Sequence, residues 1–126
     1  MSEAAIAASL TTDEPVFCLT GDGGLGMCLA ELETVARLGR DVRVVVFDDA
    51  TLSLIAIKQG PGQGGEAAVC YASSDLAAVA RGLGLEAWTV DDEAGLEEAL
   101  TRRGPSLVAA RIDPSGYRAI LAAIRS

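Results

Sequence analysis

The sequence predicts an α/β fold, a mostly parallel sheet with helices on both faces, and three observations predict it. Apolar, β-branched segments alternate with segments of helical period along the chain, the pattern of strands joined by crossover helices. One strand segment, Val42 to Phe47, is apolar nearly throughout, as expected of a strand covered on both faces. Half the residues are hydrophobic but only 4% are aromatic. The core is therefore built from Ala, Val, Leu and Ile, side chains suited to helices lying close against a parallel sheet.

Ser2 to Leu10 is alanine-rich, with Ile6 and Leu10 four apart, and reads as a short helix behind a Ser2 cap. Thr11 to Pro15 is a turn and Pro15 to Leu19 the first strand. Leu19-Thr20-Gly21-Asp22-Gly23-Gly24-Leu25-Gly26 follows as a glycine-rich turn, where bare backbone N–H groups can approach a ligand. It leads into one helix marked by Met27, Leu32, Val35 and Leu38 and stopped by Gly39. Val42 to Phe47 is the second strand, ending on Asp48-Asp49, and Thr51 to Lys58 is a helical or irregular segment. Gly60 to Gly65 cannot hold regular structure and reads as a mobile loop. Ser74-Asp75 caps a helix to about Leu83, with Leu76, Val79 and Leu83 inward and Gly84 at its end. Glu86 to Val90 is a strand, Asp91-Asp92 caps the next helix, and Pro105 to Ile112 is the last strand. Pro114 opens a final helix to about Ile124. Residues 1–126 read as a single domain without repeat or linker.

The net charge of −8 argues against nucleic acid or an anionic membrane as partner. It would also repel an anionic cofactor unless local N–H groups and a metal ion overcame that field. The absence of histidine excludes Ser-His, Cys-His and His-ligated metal chemistry. Cys18, Cys28 and Cys70 lack CxxC spacing and read as reduced thiols. No apolar run approaches membrane-spanning length, and the N-terminus carries acid where a signal peptide carries base, so a cytoplasmic location is expected.

In open parallel sheets, ligands bind beyond the carboxyl ends of the strands. Asp22 follows the first strand and Asp49 the second, so if these strands are neighbours both carboxylates rise from one edge. Magnesium takes one or two carboxylates together with water and phosphate oxygens. The glycine turn lacks the Lys-Ser/Thr of a P-loop and the third glycine of a dinucleotide fingerprint. Asp48 reads as a solvated turn residue and Asp91-Asp92 as a helix cap.

Gly21-Asp22-Gly23, then a helix, then a strand ending in paired acids resembles the signature of thiamine-diphosphate enzymes. Leu29 to Thr34, Val44 to Phe47, Leu54-Ile55 with Lys58-Gln59, and Asp113-Pro114-Ser115-Gly116-Tyr117 are similar to the acetohydroxyacid synthase, benzoylformate decarboxylase and pyruvate oxidase branch. The resemblance implies the C-terminal, Rossmann-like domain of such an enzyme, N-terminally truncated. It implies that Asp22 and Asp49 hold Mg²⁺ through side chains and Thr51 through its carbonyl. It also implies that thiamine diphosphate meets backbone at Gly21, Gly23, Gly24, Ser53 and Leu54. The family usually has asparagine where this chain has Asp48 and Asp49. The resemblance further implies that the activating glutamate lies on a separate pyrimidine-binding domain or subunit, so the chain alone should not turn over. Two alternatives rank behind this reading: the small subunit of a two-chain decarboxylase, and a non-catalytic remnant serving as an interaction module. Self-association into a homo-oligomer is expected from the exposed start of the first helix.

Overall fold

A computed structural model describes residues 2–58 and 69–125 of the chain. Four strands form one parallel sheet in the order β1-β2-β4-β3: β1 (Val16–Gly21), β2 (Val42–Asp48), β3 (Glu86–Val90) and β4 (Ser106–Arg111). The helices are α1 (Ser2–Ser9), α2 (Asp22–Met27), α3 (Glu31–Leu38), α4 (Ser53–Lys58), α5 (Leu76–Gly82), α6 (Glu93–Thr101) and α7 (Tyr117–Arg125). A 3₁₀ turn at Pro114–Gly116 leads into α7. The alternation of strand and helix is as expected. The glycine loop at Gly60 to Gly65 lies outside the described residues.

Two local expectations change. The glycine-rich segment is not a turn before a helix but is itself helical from Asp22, and the single expected helix is two. Three glycines in six residues make α2 a weak helix. It ends when Cys28 leaves helical geometry at φ −131°, its N–H returning to the Leu25 carbonyl at 2.9 Å. Around α5, Ala77 and Ala80 are buried in the core and Leu76 and Leu83 pack against it as expected, while Val79 is 37% exposed. The alanine stripe lets the helix sit close to β3 and β4, and that rotation carries Val79 outward. Gly39 closes α3 at φ +63° and Gly84 follows α5 at φ +97°, both in the left-handed region that glycine occupies without strain.

The core lies between the sheet and one helical layer. Ala5 of α1, Leu25 of α2, Leu32 and Val35 of α3, and Ala77 and Ala80 of α5 pack on Cys18, Val44, Val46, Leu107, Ala109 and Ala87 of the strands. Strand alternation sends Val45, Val108 and Ala110 to the opposite face, where α6 lies against β3 and β4. Over β1 and β2 that face is open: Phe17, Leu19 and Phe47 are each about half exposed.

The amino end of β2 is held by an ion pair that an apolar reading of Val42 to Phe47 does not anticipate. Arg43 is buried, its Nε and Nη2 each 2.8 Å from an Asp41 carboxylate oxygen, and its Nη1 donates to the Leu100 carbonyl. The guanidinium also stacks 5.3 Å from the Phe17 ring centroid. Asp41 accepts a further bond from the Gly104 N–H at 3.1 Å, which ties β2 to the turn before β4. Arg43 beside it, chiefly by hydrogen bonding, holds the Asp41 pKa below the usual carboxylate value. A depressed folded-state pKa contributes stability above the unfolded pKa and loses it as pH falls through the folded one. Asp41→Asn should therefore destabilise the chain by about 3 kcal/mol at pH 7, because it strands a buried guanidinium. Urea unfolding should show that gap narrowing as pH falls below about 4, where the wild-type carboxylate also protonates.

Candidate functional site

β1 and β2 pair in parallel with Gly21 opposite Phe47. The next residues, Asp22 and then Asp48-Asp49, therefore leave the same edge of the sheet together. Gly21 is extended (φ −87°, ψ 164°) and α2 starts at once with Asp22. Asp22 Oδ1 accepts the Gly23 N–H at 2.7 Å, which fixes the carboxyl at the helix start. Oδ2 is buried and no group among the described residues meets it with hydrogen-bonding geometry.

Asp49 makes a tight local turn. Its Oδ1 accepts the Thr51 N–H at 2.9 Å, its Oδ2 accepts the Ser53 hydroxyl at 2.6 Å, and its carbonyl accepts the Thr51 hydroxyl at 3.1 Å. Ala50 between them has φ +53°, left-handed geometry that only a constrained turn imposes on a residue with a Cβ. A short antiparallel pairing supports this turn from outside. Thr51 bridges Cys70, the Leu52 N–H reaches the Val69 carbonyl at 2.8 Å, and the Tyr71 N–H reaches the Ala50 carbonyl at 3.1 Å.

Asp48 is not the solvated residue expected. It is 7% exposed and accepts the Ser73 hydroxyl at 3.1 Å. β2 runs one residue further than the apolar run suggests, and alternation aims Asp48 to the same side as Val42, Val44 and Val46. Asp49, one position on, is released to the cleft.

Three carboxylates thus gather where the sheet ends. Burial raises the Asp22 pKa above its ordinary value; the Gly23 N–H and the Tyr71 hydroxyl pull it back, and the charges of Asp49 and Asp48 raise it further. The Tyr71 phenol is pushed up to about 12, first by burial and then by Asp22 and its acidic neighbours. Tyr117 is raised by burial and by Asp49 and Asp22.

The cleft has a volume of about 380 Å³ and is lined by Gly21, Asp22, Gly23, Gly24, Phe47, Asp49, Thr51, Leu52, Ser53, Ile55 and Tyr117. Gly21, Asp22, Gly23, Gly24, Asp49, Thr51 and Ser53, all expected at a site, line it together. Sequence reasoning did not single out Tyr71 as a neighbour of Asp22, nor Phe47, Leu52, Ile55 and Tyr117 as walls. The tyrosines carried a signal: the chain has only 2, and both stand beside the acids.

The glycines matter through space rather than through unusual dihedrals. A Cβ on Gly24 would lie 2.8 Å from the Thr20 hydroxyl oxygen, and one on Gly23 would lie 2.7 Å from Leu52 Cδ2. Around Gly26 nothing lies within 4 Å. Among the described residues no three His, Cys, Asp or Glu side chains converge as a metal cluster. A cation at this edge would complete its shell with backbone, water or ligand oxygens.

A parallel sheet with a cleft beyond its carboxyl edge, floored by a glycine-rich helix start and carboxylates, is a ligand-binding α/β domain of the open-sheet class. Within that class, residues 2–110 match the family described as "Thiamine pyrophosphate enzyme, C-terminal TPP binding domain", and the chain belongs to that family. It is 34% identical over 117 residues to the acetolactate synthase isozyme 1 large subunit of Escherichia coli K12, covering 87% of this chain and 21% of that one. It is 31% identical over 124 residues to the oxalyl-CoA decarboxylase of the same strain, covering 88% and 21%. A thiamine diphosphate-dependent 4-hydroxybenzoylformate decarboxylase from Rhodococcus jostii RHA1 shares the fold, with TM-score 0.71 at 21% identity over 89% of this chain and 23% of that one. The chain therefore spans about a fifth of the length of these relatives.

Gly24→Ala should destabilise the chain by about 1–3 kcal/mol, since the added methyl must displace a side chain buried under the helix. Gly26→Ala should be neutral or stabilise it by about 0.5–1 kcal/mol through lower backbone entropy in the unfolded state. Parallel thermal melts distinguish the two.

Proposed function

We propose that this cleft binds Mg²⁺ and the diphosphate of thiamine diphosphate, as part of a 2-oxo-acid decarboxylase or acetolactate synthase-like enzyme. The observation that carries the reading is Asp22 Oδ2: a buried carboxylate oxygen that no described group meets with hydrogen-bonding geometry, beside two further carboxylates, at the end of β1. Such an arrangement is unfavourable until a cation neutralises it. The residues fit that ion. Asp22 offers its free oxygen. Asp49 accepts one hydrogen bond on each oxygen and retains lone pairs, and Thr51 offers its carbonyl close by. Octahedral Mg²⁺ keeps sites for water and diphosphate oxygens.

The N–H groups of Gly23 and Gly24 at the start of α2, with backbone at Gly21, Ser53 and Leu54, are assigned to the diphosphate. An electropositive helix start and the metal together offset a chain of net charge −8. Bound thiamine diphosphate supplies the carbanion chemistry through its thiazolium. Phe47, Leu52 and Ile55 present apolar walls that limit water around the diphosphate. Turnover is assigned to the chain together with a pyrimidine-binding domain or partner subunit, consistent with relatives about five times as long. The half-open apolar face at Phe17, Leu19 and Phe47 supports association, including between copies of the chain. Among the described residues Cys18, Cys28 and Cys70 form no disulfide, which favours a reducing, cytoplasmic setting. Among the described residues no helix is long and apolar enough to cross a membrane.

Calorimetry should detect binding of thiamine diphosphate at millimolar concentration only when Mg²⁺ is present. Asp22→Asn should reduce that affinity by at least the roughly 10–100-fold that loss of an outer-shell partner of a metal costs. Without metal, the same variant should melt at a higher temperature than wild type, because it relieves carboxylate crowding. Absence of Mg²⁺-dependent binding, even with a candidate partner subunit added, would leave the chain a fold without the site.

A further inference from the structure

Tyr71 is placed to act on both proposed ligand carboxylates at once. Its hydroxyl lies 3.5 Å from where a Cβ of Gly23 would stand, and its ring lines a cavity of about 270 Å³ with Asp22, Gly23, Asp48 and Ser74. That cavity lies behind the proposed diphosphate cleft and shares Asp22 and Gly23 with it. The backbone of the same residue pairs with the turn that carries Asp49: Tyr71 N–H to Ala50 carbonyl at 3.1 Å, flanked by the Thr51–Cys70 bridge and the Leu52 N–H to Val69 bond.

We propose that Tyr71 is a positioning residue for the metal: through its hydroxyl it orients the Asp22 carboxyl, and through its backbone it holds the Asp49 turn. This rests on the Mg²⁺–diphosphate reading of the cleft and names the residue that sets the distance between its two protein ligands. The physical reason is specific. Among the described residues the Asp22 carboxyl takes one well-formed hydrogen bond, from the Gly23 N–H to Oδ1. A phenol in the same cavity restricts the rotation that this one bond leaves open. Outer partners of this kind orient the atoms that coordinate a metal and raise its affinity. The Asp49 turn contains the strained Ala50, at φ +53°, and the Val69–Tyr71 strap is what pairs with it.

The test is Tyr71→Phe in the 126-residue chain, with Mn²⁺ and inorganic pyrophosphate as probes. Free and bound Mn²⁺ are read by electron paramagnetic resonance, and folding is checked by a thermal melt. The expected result is Mn²⁺ affinity about tenfold weaker in the presence of pyrophosphate. The line shape of the bound ion should broaden, with the melting temperature held within a few degrees. If wild type binds and Tyr71→Phe matches it in affinity and line shape, the positioning role is wrong while the diphosphate reading stands. If wild type itself fails to bind Mn²⁺ with pyrophosphate, both fall. If the variant does not fold, amide hydrogen exchange on wild type decides. Protection at Leu52 and Tyr71 should rise on adding Mg²⁺ and pyrophosphate, and unchanged protection overturns the proposal.

Discussion

Everything at the carboxyl edge depends on the register between β1 and β2. Val16 pairs with Val42 and the ladder runs unbroken to Gly21 opposite Phe47. Because side chains alternate along a strand, a slip of one residue would turn Asp49 toward the core and Asp48 toward the cleft. It would also expose Val42, Val44 and Val46, which are now buried. The core thus enforces the register, and the register decides which of two consecutive aspartates faces a ligand. At the other end, Arg43, Asp41 and the Gly104 N–H pin β2 against β4, which leaves little room for the slip.

The same edge concentrates charge: Asp22, Asp48 and Asp49 lie together in an already acidic chain, and among the described residues the sheet's Arg43 and Arg111 pair elsewhere, with Asp41 and Asp91. Local hydrogen bonds absorb part of the burden: Ser73 serves Asp48, Thr51 and Ser53 serve Asp49, and Gly23 serves Asp22. Among the described residues Asp22 Oδ2 is left unmet. On the proposed reading, that oxygen gives up metal-free stability for affinity toward a cation.

Much of this was legible in the residues. Alternating apolar and helical segments conveyed the order of elements and the parallel sheet, because burial on both faces leaves few polar positions in a strand such as β2, here Arg43 and the terminal Asp48. The sequence placed Asp22 and Asp49 after successive strands, and the pairing of β1 with β2 makes those strands neighbours. Less legible were features that depend on tertiary placement. Glycines usually signal a turn, yet Gly23 and Gly24 are helical here, in places where a Cβ would meet Leu52 and Thr20. Asp48 looked solvated because acids usually are; the extra residue of β2 and a hydroxyl from Ser73 bury it. Tyr71 reaches Asp22 from a segment far along the chain, a contact without local periodicity to announce it.

The central claim is that the ends of β1 and β2 form one metal-dependent diphosphate site. Amide-resolved NMR of the chain titrated with thiamine diphosphate tests it most directly, with and without Mg²⁺. The expected result is a set of shifts confined to residues 21–24 and 51–54 that requires both components. Shifts that arise without the metal, or that map to the open face at Phe17 and Leu19 instead, would contradict it.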